Sequence, residues 1–210
     1  MKIETIDFGD DREIYIIDDA VDIGSRFEIY HICCQLPYRI TNSSRQEIQG
    51  IVDKRLKCDL ELDNPLIKRF LEDNKETSEV INKYIPKEKY LYVRSYVNLG
   101  THSDICNIHT DKGEDSRTIL YYANHDWSSN MGGHTIFFDD DGNTKDIVEI
   151  KPGRLCIFNG RIPHTVMPMN IRISPSFRFT VAFKFELIKS HYDNKQKIFG
   201  DDIESKKNEQ

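Results

Sequence analysis

The feature that most limits how this chain can fold is a series of short apolar segments in its C-terminal half, each ended by turn residues. Successive side chains of a strand point to opposite faces, so alternating segments of this length predict β-strands. Seven or eight such strands at regular spacing favour an antiparallel sandwich or barrel. The clearest segments are 91–97, 118–123, 135–138, 147–150, 154–158 and 177–185. We therefore predict a mainly β protein of the α+β class, with a jelly-roll core.

The first 89 residues carry helix signals as well as two short strand patterns, at 13–17 and 38–41. One apolar helical face steps by four, three and four residues and comprises Ile23, Phe27, Tyr30 and Cys34. Asn64-Pro65 is a candidate N-cap with proline at the first helical position, and a further helix ends at Pro86. We expect these amphipathic helices to pack on the outside of the sheet.

The length of 210 residues fits one domain. We assign it residues 1–189, with 1–89 as strand and helix support and 90–189 as the jelly-roll core. Residues 190–210 form a highly charged tail, for which we expect a helix or no regular structure. The segment 49–62 fits a strand or a loop equally well.

Charge and cysteine usage limit the partners and the setting. A formal net charge of −6 gives no general basic surface for phosphates, so we expect no nucleic-acid partner. The five cysteines are odd in number and include no CxxC pair, which is typical of reduced, buried thiols. The first residues do not resemble a signal peptide, and no apolar run is long enough to span a bilayer. We expect a cytoplasmic protein without a membrane partner; its oligomeric state stays open.

Within the β-rich half, His109-Thr110-Asp111 and the distant His164 form a candidate metal site. A His-x-Asp pair in a strand places both side chains on one face. Two imidazoles and one carboxylate are the ligands of the facial triad that holds non-haem Fe(II) and leaves positions open for substrate. A second pair, His102-Ser103-Asp104, lies in an expected loop, so we prefer His109 and Asp111. A surface histidine without a metal is the alternative for His109.

The last strand supplies a candidate anchor for a carboxylate. Its polar face comprises Arg178, Thr180, Ala182 and Lys184, whereas Phe177, Phe179, Val181, Phe183 and Phe185 share the other face. A guanidinium pairs with a carboxylate through two parallel hydrogen bonds, so Arg178 suits the far carboxylate of a metal-bound keto acid. Thr180 can add its hydroxyl. Arg172 is the rival anchor, and an exposed salt bridge is the alternative for Arg178.

Together, residues 92–185 resemble the Fe(II)/2-oxoglutarate-dependent dioxygenase superfamily, and within it the prolyl 4-hydroxylase-like branch. The motifs that carry the resemblance are, in chain order, Tyr96, His109-x-Asp111, 120–124, Trp127, Gly132-Gly133, Pro152-Gly153-Arg154, Phe158, Pro163-His164 and Arg178-Phe179-Thr180. Two departures stand out. His134 occupies a position where a glutamate commonly follows the paired glycines, and the interval from His164 to Arg178 is longer than in many members. The second departure keeps Arg172 open as the anchor.

The resemblance implies a double-stranded β-helix in which His109, Asp111 and His164 bind iron and carry catalysis. It further implies that Arg178 anchors 2-oxoglutarate and that Tyr96 and Tyr122 line its pocket. For both tyrosines, aromatic packing in the core is the alternative.

The implied cofactors are Fe(II), 2-oxoglutarate as co-substrate and supporting ascorbate, with O2 as a further reactant. The implied activity is hydroxylation of a C–H bond, foremost of a peptidyl proline, with decarboxylation of 2-oxoglutarate to succinate. The alternatives are a hydroxylase of a free amino acid or other small molecule, a cupin-like metal-binding protein without 2-oxoglutarate chemistry, and a non-catalytic binding protein. The partner is thus a peptide, protein or small-molecule substrate.

Overall fold

The computed structural model describes residues 1–42, 54–73, 75–102, 104, 106–111, 116–170, 172–173 and 177–189. Within them the strands are β1 (Lys2–Asp7), β2 (Glu13–Asp18), β3 (Arg39–Asn42), β4 (Lys54–Leu60), β5 (Tyr90–Gly100), β6 (Ser116–Tyr122), β7 (Thr135–Phe138), β8 (Thr144–Val148), β9 (Leu155–Asn159), β10 (His164–Val166) and β11 (Arg178–Leu187). The α-helices are α1 (Ile23–Gln35), α2 (Pro65–Lys68) and α3 (Lys75–Tyr84), with a π-helical turn at Arg69–Asp73 and a 3-10 turn at Ser129–Met131.

Two antiparallel sheets form the core. The larger has the strand order β1-β2-β9-β6-β11-β5-β4-β3, and the smaller has the order β10-β7-β8. Many neighbouring strands are distant in sequence, because the chain passes back and forth between the sheets. An apolar cluster joins them and includes Ile14, Ile16, Tyr122, Phe137, Val148, Cys156 and Phe158. The predicted mainly β fold with a jelly-roll core is confirmed.

The helices cover the outer face of the larger sheet, as predicted. Asn64 caps α2, since its side chain accepts a hydrogen bond from the Leu66 amide at 3.0 Å, and Pro65 begins the helix. A second apolar cluster joins helices and sheet through Ile29, Cys33, Leu66, Ile67, Phe70, Ile81, Val97, Tyr121, Val181 and Phe183. Among the helices described, none combines the length and hydropathy needed to cross a membrane.

The predicted buried face of α1 is wrong. Ile29 and Cys33 are fully buried, whereas Ile23 is 69% and Phe27 48% exposed. Phe27 stacks on the ring of His125 with 5.1 Å between centroids, so it covers a loop instead of the sheet. Apolar residues at helical spacing occur on more than one side of α1, and their spacing alone does not determine which side faces the sheet.

Several strand boundaries also differ from expectation. Strand β1 is not predicted by its sequence because it lies at the sheet edge, mostly exposed, and pairs with β2 alone. Strand β8 ends at Val148, earlier than the predicted segment 147–150. Of the open segment 49–62, residues 54–60 form β4. Residues 49–53, together with the tail 190–210, lie outside the described residues.

Candidate active site

The three side chains predicted to bind a metal lie together. The candidate ligand atoms of His109, Asp111 and His164 are all within 4.8 Å of one another. His109 and His164 exchange backbone hydrogen bonds of 3.0 and 2.9 Å across a single antiparallel bridge, and the Asp111 amide donates to Gly160 O at 2.9 Å. The sequence suggested that the His-x-Asp pair lies in a regular strand. In the structure it lies outside the strands and is hydrogen-bonded to residues 160–164.

Both imidazoles are fixed through one ring nitrogen. His109 Nδ1 lies 2.9 Å from Asn107 O, and His164 Nδ1 lies 2.9 Å from Ile162 O. Because a carbonyl can only accept, each Nδ1 carries the proton, and in the neutral ring Nε2 keeps its lone pair. This pattern is typical of metal-binding histidines. Burial lowers the pKa of His164 to about 3, which keeps it neutral and ready to bind a cation.

The third member, Asp111, is held by two donors that sequence reasoning did not identify. Thr118 Oγ1 donates to Asp111 Oδ2 at 2.5 Å, and the Lys184 ammonium forms an ion pair with the same oxygen. Burial raises the pKa of Asp111, but Lys184, His164 and the Thr118 hydrogen bond together outweigh it and hold the pKa below the ordinary range. The only sequence signal was that Lys184 shares a strand face with Arg178; Thr118 gave none.

Arg178, the predicted anchor, begins β11 and is only 5% exposed. Its Cζ lies 5.6 Å from the centroid of the Tyr122 ring. A Cβ on Gly133, whose φ is +72°, would lie 3.1 Å from Arg178 Cδ, so the guanidinium stem needs glycine there. Arg172, by contrast, is exposed. Of the two candidate anchors, Arg178 is therefore the buried one and Arg172 the exposed one.

Thr180 and Tyr122 are neighbours in the same region, paired across β11 and β6. Tyr122 is buried, which raises the pKa of its hydroxyl, and its OH lies 2.8 Å from Thr135 Oγ1. Thr180 Oγ1 is buried and makes no hydrogen bond within the described part of the chain. A buried hydroxyl without a partner costs about 1–3 kcal/mol, and a carboxylate bound beside it could accept a hydrogen bond from it.

Tyr96 is half-buried on β5, where it faces Ala182 of β11. Its ring lies 4.6 Å from Lys57 Nζ and 5.6 Å from Arg94 Cζ. Tyr96 therefore shares the sheet face of Arg178 and Thr180, where two cations contact its ring. Its role in a 2-oxoglutarate pocket stays a prediction.

Asp104 of the second His-x-Asp pair and His134 both have hydrogen-bond partners within the protein. Asp104 accepts hydrogen bonds from the Thr101 amide at 2.6 Å and from Thr101 Oγ1 at 3.0 Å, as expected for a loop residue. His134 is buried: the Ile150 amide donates to Nδ1 at 3.2 Å, so Nε2 carries the proton and donates to Ser129 O at 3.0 Å. With both nitrogens used, His134 ties the 3-10 turn to the residues after β8.

The donor set fits Fe(II). Two neutral imidazoles and one carboxylate on one side of a metal leave three further positions, enough for a chelating keto acid and O2. Arg178 and Thr180 lie on the face of β11 that also carries Lys184, the partner of Asp111. The site region thus contains three candidate metal ligands and, on β11, a buried cation and a buried hydroxyl.

Comparisons with known proteins find similarity in sequence and in fold. Residues 90–185 match the sequence model of the 2OG-Fe(II) oxygenase superfamily. The fold resembles a prolyl-4-hydroxylase from Pseudomonas putida, with a TM-score of 0.62, 16% identity, and coverage of 82% of this chain and 91% of that one. No match is found among curated proteins.

Two further solved structures share the fold. An oxidoreductase of the 2OG-Fe(II) oxygenase family from Burkholderia pseudomallei gives a TM-score of 0.64 at 11% identity, covering 82% of this chain and 84% of that one. HygX from Streptomyces hygroscopicus, with nickel and 2-oxoglutarate bound, gives 0.59 at 13% identity and covers 82% of both chains. At these identities, the likeness concerns the fold alone.

Proposed function

We propose that this protein is a dioxygenase of the 2OG-Fe(II) oxygenase superfamily, whose sequence model residues 90–185 match, and that it hydroxylates a peptidyl proline while converting 2-oxoglutarate to succinate. One observation carries the chemistry. Two histidines with anchored Nδ1 atoms and one carboxylate bring their ligand atoms within 4.8 Å of one another.

His109, Asp111 and His164 would hold the Fe(II). When bound, iron with 2-oxoglutarate and O2 supplies the oxidising power for hydroxylating a C–H bond. The carbonyls of Asn107 and Ile162 keep the two imidazoles oriented, and burial keeps His164 neutral. The protein's part is to present three ligands on one side and leave the opposite side for co-substrate and O2.

Arg178 and Thr180 would bind the far carboxylate of 2-oxoglutarate. Arg178 can supply two parallel hydrogen bonds, and the Thr180 hydroxyl adds a third donor. Both side chains are buried, at 5% and 2% exposure, which strengthens charge-assisted hydrogen bonds and excludes water. A keto acid held at the metal would then need a chain long enough to bring its far carboxylate to Arg178.

The substrate part of the proposal rests on the prolyl 4-hydroxylase-like pattern of the sequence and on the shared fold of the Pseudomonas putida prolyl-4-hydroxylase. A small molecule is the second candidate, because HygX, of similar fold, is also known with hygromycin B bound. A mass-spectrometric screen over proline-containing peptides and metabolites separates them. A product heavier by one oxygen on a peptide supports the first, and on a metabolite the second.

Formation of succinate tests the reaction class. The protein is incubated with 2-oxoglutarate, Fe(II) and ascorbate, which we propose as a supporting reductant, and succinate is measured with and without candidate substrates. We expect iron-dependent succinate, including slow turnover without substrate. If neither succinate nor 2-oxoglutarate binding to the Fe(II) or Mn(II) form is found, the proposal fails.

For the cellular setting we propose the cytoplasm, because the cysteine pattern is typical of reduced thiols.

A further inference from the structure

The ion pair beside the metal ligands points to a function for a residue outside the triad. We propose that Lys184, together with Thr118, is a positioning residue that holds one oxygen of Asp111 and leaves the other to the metal. This rests on the proposed function, because it takes Asp111 as an iron ligand. Asp111 would then bind the metal through one oxygen only.

The location of Lys184 is unusual for a lysine. Its side chain is only 13% exposed, and that of Asp111 is 15% exposed. Lysine is almost never buried without a partner, because removing an ammonium from water is costly. Lys184 is directly opposite Thr118 in the pairing of β11 with β6, so the two donors approach Asp111 from adjacent strands. The sheet register therefore fixes where the two donors sit.

Both donors converge on the same atom. Thr118 Oγ1 and Lys184 Nζ each donate to Asp111 Oδ2, and Lys184 Nζ also donates to Thr118 Oγ1 at 3.0 Å. A carboxylate oxygen offers about two lone-pair sites, which these donors use, whereas Oδ1 accepts no hydrogen bond from the described residues and could bind a metal. The backbone amide of Asp111, bound to Gly160 O, fixes the other end of the residue.

The number of oxygens that Asp111 gives to the metal has a chemical consequence. One oxygen and two imidazoles leave three positions on a six-coordinate ion, two for the keto acid and one for O2. If both oxygens bound, only two positions would remain, and a keto acid occupying both would leave none for O2. Lys184 would thus keep a coordination position available for O2. It also orients the Asp111 carboxylate in the metal-free protein.

A purely structural ion pair is the competing explanation. Such a pair would affect the stability of the metal-free protein and leave metal coordination unchanged. Lys184 also places a second cation near the metal, and this repulsion alone would make removal of Lys184 increase metal affinity. The positioning role predicts the opposite sign, because partners of metal ligands typically contribute about 10–100-fold to affinity or activity.

The test compares Lys184→Met, which removes the charge at similar length, with Lys184→Arg, which keeps a cationic donor. Mn(II) affinity is measured by titration calorimetry, the coordination of Co(II) by its visible absorption, and folding by thermal melting of the metal-free protein. Lys57→Met is the matched control, because Lys57 forms an ion pair with Asp59 at 2.7 Å and is 20% exposed.

We expect Lys184→Met to weaken Mn(II) binding about 10-fold or more and to alter the Co(II) spectrum, and Lys184→Arg to restore both to within about 3-fold of wild type. Lys57→Met should leave both unchanged. Unchanged or tighter Mn(II) binding by a folded Lys184→Met protein overturns the proposal. If that variant does not fold, Thr118→Val decides: it should weaken Mn(II) binding in the same direction by a smaller factor, and unchanged binding overturns the proposal.

The two proposals fail in different ways. A wild-type protein that binds Mn(II) with Lys184-dependent affinity but forms no succinate contradicts the proposed reaction and leaves Lys184 as a positioning residue. A wild-type protein that forms succinate while Lys184→Met retains full Mn(II) affinity and an unchanged Co(II) spectrum contradicts the role of Lys184 alone. Absence of Mn(II) binding by the wild type overturns both.

Discussion

Strand β11 has two faces that are both buried but differ in purpose. One face carries Phe179, Val181, Phe183 and Phe185 and packs against the helices. The other carries Arg178, Thr180 and Lys184, polar groups whose burial is costly unless each finds a partner. Lys184 has Asp111, whereas Thr180 Oγ1 has no partner among the described residues. The apolar face thus stabilises the fold, whereas the polar face carries the buried groups to which the proposed function assigns ligand binding.

The largest effect is expected from removing one of the candidate metal ligands. Asp111→Ala and His164→Ala should each abolish Mn(II) and Fe(II) binding, because two remaining ligands cannot compensate for the loss of the third. Titration calorimetry checks this, with His102→Ala as the control that should bind normally. Full metal affinity in either triad variant would show that the ligands lie elsewhere.

A change on the apolar face should affect folding instead. Phe183 is fully buried and lies 5.3 Å from Phe70, centroid to centroid. Phe183→Ala should therefore lower the free energy of unfolding by about 3–5 kcal/mol, measured by urea denaturation. The folded fraction should retain its Mn(II) affinity. Loss of metal affinity without loss of stability would show that the two faces are not separate in function.

The anchor end gives the next effect. Arg178→Ala should weaken 2-oxoglutarate binding to the Mn(II) form on the order of 100-fold, since a two-point charge-assisted contact is lost. Arg172→Ala is the matched control, because Arg172 is exposed, and it should change the affinity by less than about 2-fold. If the two variants exchange these results, the anchor is Arg172.

The smallest effect is expected from Thr180→Val, which removes one hydroxyl at nearly constant volume. Binding of 2-oxoglutarate to the Mn(II) form should weaken about 5-fold, as expected for about 1 kcal/mol from one hydrogen bond. The ligand-free protein should be as stable as wild type or slightly more stable, because an unpartnered buried hydroxyl has been removed. Weaker folding together with unchanged binding would assign Thr180 to the core.

The sequence predicts much of this architecture because local signals decide it. Alternation marks the inner strands, and Asn64-Pro65 marks the start of α2. The buried face of α1 was not predictable, since Phe27 is covered by His125, which is distant in sequence. Edge strand β1 has almost no buried face to produce alternation.

The residues of the candidate metal site were predictable from the sequence, but the side chains that hydrogen-bond to them were not. His109, Asp111 and His164 could be chosen by residue type and spacing, and the structure brings them together. The pairing of Lys184 with Thr118 depends on the register between β11 and β6, which spacing along the chain does not reveal. Likewise, Gly133 could be noted as part of a motif, but a side chain is excluded there because Arg178 and Ile150, both distant in sequence, lie close to it.

The central claim is that metal and anchor form one pocket for 2-oxoglutarate. Titration calorimetry of 2-oxoglutarate into metal-free and Mn(II)-loaded protein tests it most directly. The loaded protein should bind one equivalent, and the metal-free protein should bind at least about 10-fold more weakly, because the keto-acid end has lost its ligand ion. Equal affinity in the two forms, or no binding to the loaded form, would contradict the account.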